Sequence, residues 1–106
     1  MVAAYILTNF VIMTYDEFDY SLRSGTPPEI LSVYLQVLWY AKKRDWNKAH
    51  EIAQDINDKD GSWLHAYLHR TEGDAFNAGY WYKRAGKPMP GYTGDQEWKE
   101  IVEFFL

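Results

Sequence analysis

The chain predicts an all-α fold, two stacked helix–turn–helix units with a capping helix on either side. Three observations carry that expectation. Apolar residues recur at helical spacing in segment after segment. The segments begin and end on residues that cap helices. The pattern around Asp45 also returns around Asp74, a shift of 29 residues.

The elements follow in order. Thr14 and Glu17 in "TYDE" form a capping box. Phe18 and Leu22 then mark a short helix that ends at Ser24–Gly25. Pro27–Pro28 suits the first turn of a second helix, from Glu29 to about Arg44, with Ile30, Val33, Tyr34, Val37, Leu38 and Ala41 on its apolar side. Asp45 caps a third helix with Trp46, Ala49, Ile52, Ala53 and Ile56 in one stripe, while Lys48, Glu51 and Asp55 face solvent. "NDKDGS" is a turn, and Asp60 or Ser62 starts a fourth helix that runs to Glu72 and breaks at Gly73. Asp74 opens a fifth, "AFNAGYWYKRAG", closed by Gly86, Pro88 and Pro90. "TGDQ" is a second capping box, leading a helix with Trp98, Ile101, Val102 and Phe105 inward and Glu97 and Glu100 in solvent. Beyond the first dozen residues no stretch alternates as a strand does.

Residues 13–106 read as one domain, with residues 1–12 an apolar extension. The native start is expected at Met13; the alternative is a leading strand or helix that covers an apolar groove. The extension lacks a basic n-region and is shorter than the roughly 20 residues that span a bilayer. Aromatics make up 18% of the chain, so few large side chains can fill a small core. A formal charge of −4 argues against nucleic acid, which needs a basic stripe, and the acidic last helix argues against a membrane surface. The Lys42-Lys43-Arg44 run suits a helix C-terminus. The absence of cysteine excludes disulfides, thiolate catalysis and thiolate zinc sites, and fits the reducing cytoplasm.

Units that repeat in this way stack because each alone leaves an apolar face bare. The second unit resembles a tetratricopeptide repeat, with Ala66, Gly73, Ala78, Tyr82, Ala85 and Pro90 at motif positions. The first keeps Tyr40 and Ala49 but has Arg44 at the glycine position of the turn. The string "WLHAYLHRTEGDAFNAGYWYKRAGKP" is similar to the signature of a family of short, uncharacterised, repeat-like bacterial proteins. That resemblance covers residues 13–106 and implies the fold without an activity.

It also implies that Trp63, Tyr67 and Arg70 of the fourth helix, with Tyr34 and Leu38 of the first unit, line a concave groove for an extended peptide. Asn77 and Arg84, seven apart, would join Arg70 in a carboxylate clamp, or each would pair internally with Glu72, Asp74 or a helix end. His65, His69 and Glu72 form another line on the fourth helix, and His50 and Gln54 lie four apart on the third. The helical wheel turns His65 and His69 away from the main apolar centre. The repeat template turns them toward the preceding unit, where all three histidines converge. There they would close a polar network with tyrosine hydroxyls, Gln54 and Glu72, or hold a zinc-class metal.

The function read from sequence is therefore a binding module for a peptide or protein segment, with no cofactor and no catalytic residue assigned. Two alternatives stand beside it. One is a metal-binding protein or metalloenzyme built on His50, His65 and His69; the other is a self-associating, homodimeric structural protein.

Overall fold

The computed structural model describes residues 5–7 and 10–106. Six helices lie among the described residues: α1 (Tyr15–Ser21), α2 (Val33–Lys42), α3 (Trp46–Ala53), α4 (Lys59–Thr71), α5 (Ala75–Ala85) and α6 (Gly94–Phe105). A two-stranded antiparallel pair, β1 (Tyr5–Leu7) and β2 (Phe10–Ile12), precedes them, with Ile6 opposite Val11. The side chains of residues 1–12 lie outside the described residues, and so does any groove they were expected to cover. No described helix is long and apolar enough to cross a membrane.

Capping chemistry places most helix ends where the sequence expects them. Thr14 and Thr93 close capping boxes with Glu17 and Gln96, and Asp45 and Asp74 accept from the backbone three residues on. Two starts differ. Ser32, not the proline pair, caps α2, which leaves Ile30 and Val33 exposed at its outer end. Asp58, rather than Asp60 or Ser62, caps α4 through Gly61 N at 2.7 Å. Gly61 then sits so close to the α3–α4 turn that a Cβ there would meet the Ile56 carbonyl at 2.3 Å.

The α2/α3 and α4/α5 pairs are the two hairpin units, and their turns superpose in chemistry as well as in register. Arg44 and Gly73 both take the left-handed conformation, at φ 64° and 83°. In each turn the next residue's N–H reaches back five positions, Asp45 to Tyr40 and Asp74 to His69, both at 2.9 Å. Arg44 thus occupies a glycine conformation, which strains its Cβ. Lys43 donates to the carbonyls of Leu22 and Ser24 and ties the end of α1 to α2. Lys42 lies over the Trp98 ring at 4.6 Å, so the basic run serves packing as well as the helix end.

The core runs between the units and α6, with Trp39, Trp98, Tyr82, Phe18, Leu38, Leu64 and Leu68 as its largest buried side chains. α6 lies across α2 and α4. Glu97 anchors it there. Its carboxylate is fully buried, and it accepts from Arg70 Nη1 at 2.8 Å, Trp63 Nε1 at 3.1 Å and the Tyr82 hydroxyl at 2.6 and 2.7 Å. Glu97 is therefore no solvated residue, as its acidic side chain suggested; α6 turns it inward beside Trp98 and Ile101.

Removing one member of a buried, hydrogen-bonded ion pair leaves the other uncompensated. Glu97→Ala is thus expected to cost about 3–5 kcal/mol, and Glu100→Ala within about 0.5 kcal/mol of nothing, by urea unfolding. Equal losses would mean that Glu97 does not anchor α6. Arg44→Gly relieves the left-handed strain and is expected to add up to about 1 kcal/mol by the same measurement.

Candidate functional site

The groove expected on α4 is closed. Trp63 is 4% exposed and Tyr67 6%, Leu38 is fully buried, and Tyr34 stacks on Phe105 of α6 with ring centroids 4.6 Å apart. Arg70 is spent on Glu97 and on the Tyr92 carbonyl. Burial and the nearby Glu97 carboxylate push the Tyr67 hydroxyl well above its usual range, and burial with the direct Glu97 bond does the same to Tyr82. These residues form an inner packing surface, filled by a helix of the same chain.

The clamp of Arg70, Asn77 and Arg84 does not assemble either. Asn77 bonds Asp74 at 2.7 Å, beside the α5 cap. Arg84 takes neither Glu72 nor Asp74; its guanidinium lies over Trp81 at 5.3 Å and reaches the Tyr80 hydroxyl at 3.3 Å. Each of the three has a different partner.

The histidines do converge, as the repeat template expects and the simple wheel does not. His50 comes from α3, and His65 and His69 from successive turns of α4. One ring nitrogen of each lies within 4.8 Å of the other two. His50 Nε2 and His65 Nε2 are 2.8 Å apart, a hydrogen bond in which one neutral ring donates. Aromatic stacking fixes the rings: Trp46 lies on His50 at 4.7 Å and Trp81 on His65 at 3.9 Å, while His65 and His69 stack at 5.1 Å. Trp46 is itself pinned by its indole N–H to the Leu68 carbonyl at 2.8 Å.

The partners differ from those the sequence suggests. No tyrosine hydroxyl among the described residues reaches the cluster, and Gln54 faces outward into a cleft beyond it. His69 Nδ1 is buried with no hydrogen-bond partner; its nearest acid is Glu72, whose Oε2 is 3.8 Å away. Asp74 also approaches His69, but both of its oxygens are held by Asn77. The network is therefore open at one nitrogen, where an unmet buried polar group costs about 1–3 kcal/mol.

Burial, then the neighbouring imidazoles, pushes His65 down to about 4. Burial, then His69, lowers His50. Both rings are thus neutral near pH 7, with a lone pair on each to share. Trp46 and Trp81, which hold the rings, were not assigned to the site from sequence. Their signal was position: Trp46 precedes His50 by one turn, and Trp81 lies on the α5 face that meets α4.

Fold and site together define a small protein of two helical hairpins with a histidine cluster between them. The chain matches no family model, no curated protein and no solved structure.

From pH 6.5 down to about 4 the unfolded chain protonates this position while the folded chain keeps His65 neutral, so acid favours unfolding. The loss attributable to His65 reaches at most roughly 3 kcal/mol. The urea midpoint is expected to fall across this window and to fall less steeply in His65→Asn. An unchanged slope in the variant would place the acid sensitivity elsewhere.

Proposed function

We propose that the protein is a small helical metal-binding domain in which His50, His65 and His69 take one divalent transition-metal ion of the zinc class. The observation that carries this reading is the approach of three imidazole nitrogens to within 4.8 Å of one another, one ring having a buried nitrogen without a partner.

The donor set suits the ion. Imidazole serves zinc, copper, nickel and cobalt alike, and three protein ligands leave one position of a tetrahedral site open. Zinc–nitrogen bonds of about 2.0–2.1 Å set tetrahedral ligands roughly 3.3 Å apart, so His50 and His65 need to part by about 0.5 Å from their present contact. The lowered proton affinities of His50 and His65 favour the reading, because protons compete poorly with a metal there. Glu72, beside His69, supplies the carboxylate that outer-shell histidine partners commonly provide.

Burial of Trp63, Tyr67 and Leu38, with Tyr34 stacked on Phe105 of α6, favours this reading over a peptide groove on those residues.

The test is imidazole ¹⁵N NMR of untagged protein titrated with zinc. All three histidines are expected to shift together and to saturate at one equivalent. The melting temperature should rise with free zinc, by the equivalent of about 2.7 kcal/mol at a hundredfold excess over Kd. His69→Gln, at the edge of the cluster, should weaken zinc at least tenfold while the helical circular dichroism persists. Imidazole signals indifferent to stoichiometric zinc would sink the proposal and leave the cluster as packing.

A further inference from the structure

Beside His65, a cleft of about 310 Å³ opens between the end of α3, the start of α4 and the second half of α5. That volume sits at the lower end of small-ligand sites. Its floor is Ser62 and His65, one turn apart on α4 and only 8% and 7% exposed. Its rim carries Lys59 and Arg84.

The hydrogen bonding of these groups is incomplete. His65 uses Nε2 on His50, and its Nδ1 has no partner among the described residues. The Ser62 hydroxyl also makes no hydrogen bond among the described residues, and neither atom is sealed from solvent. Two nearly buried polar side chains on one cleft floor therefore have bonding capacity unused by the protein.

Charge gives the sign of what they would meet. Neither Lys59 nor Arg84 forms an ion pair among the described residues. The one acid in the lining, Asp58, already has both oxygens engaged, by Gly61 N at 2.7 Å and the Tyr34 hydroxyl at 2.5 Å. The lining thus keeps an uncommitted positive charge within an otherwise acidic protein. Arg84 lies over Trp81 at 5.3 Å and spends one N–H on the Tyr80 hydroxyl, which leaves its other N–H groups for a planar or tetrahedral oxyanion. When His50 donates through Nε2, His65 carries its proton on Nδ1 and becomes a donor at the floor, as the Ser62 hydroxyl also can.

We infer that this cleft binds a small oxyanion, a carboxylate or phosphate group, gripped by Arg84 and Lys59 at the rim and by Ser62 and His65 at the floor. The inference does not rest on the metal reading. A metal on His65 Nε2 would leave the proton on Nδ1, and the empty histidine cluster does the same when His50 is the donor.

The experiment is an ¹H–¹⁵N NMR titration of the full chain at constant ionic strength with a chelator present, so that failure of the metal site does not touch it. One arm uses inorganic phosphate, the other succinate. Saturable shifts are expected at the Trp81 indole and the Ser62 and His65 amides in at least one arm, and the stronger arm names the anion class. Arg84→Gln should weaken that binding at least tenfold, while Lys99→Gln on α6 leaves it unchanged. Failure to saturate in both arms would overturn the inference. So would equal binding by Arg84→Gln, or an equal loss in Lys99→Gln, which marks general charge attraction.

Discussion

The buried carboxylate of Glu97 is the interaction on which the rest of this structure depends. A lone carboxylate in an apolar core is costly to desolvate, and it persists only when its oxygens are fully engaged. Here a guanidinium, an indole N–H and a phenol surround it, and they come from three positions on α4 and α5. The hairpin therefore presents a preformed cradle of donors, and α6 brings the acceptor. Trp98, Ile101 and Val102 supply apolar burial around the same contact, and the Trp98 indole donates to the Leu38 carbonyl of the other unit at 2.9 Å. Apolar burial holds α6 on the hairpins, and the carboxylate sets the register in which it docks.

That docking has a functional consequence. A helical-hairpin stack ordinarily has one open inner surface, and this one is filled from within. The aromatic and cationic residues that suggest a peptide groove are the same residues that make the cradle; Trp63, Tyr67 and Arg70 are rich in bonding capacity, and the chain uses it on itself. What remains open lies on the other side of α4, where the two units meet. Chemistry there is set by desolvation. The imidazoles sit against indole rings, burial keeps His50 and His65 neutral, and the cluster has too few partners of its own kind to satisfy every nitrogen.

The two faces of α4 contrast physically. Toward α6 the polar groups are paired and the carboxylate closes the set. Toward α3 and α5, His69 Nδ1, His65 Nδ1 and the Ser62 hydroxyl stay unmatched among the described residues. Only His69 Nδ1 is sealed without a partner, while His65 Nδ1 and the Ser62 hydroxyl stay open to the cleft, so the bonding capacity that the fold leaves unused gathers on one face of α4.

The sequence alone determined what local physics controls. Side chains that cap the next turn fixed Thr14, Asp45, Asp74 and Thr93 as helix starts, and the glycine conformation fixed the turn at Gly73. Even Arg44, a departure from the repeat, obeys the turn its register demands. The start of α4 differs from the expected one because Asp58, Asp60 and Ser62 all have the chemistry of a cap, and Asp58 is the one whose carboxylate accepts from the backbone, at Gly61 N. The convergence of the histidines was legible through the repeat, whereas the helical wheel, which knows one helix at a time, pointed them outward. Tertiary structure alone decided the fate of Glu97 and of the groove. A carboxylate's exposure depends on donors delivered from segments far along the chain, Trp63 at a distance of 34 residues and Arg70 at 27. No local pattern in α6 records that they are waiting.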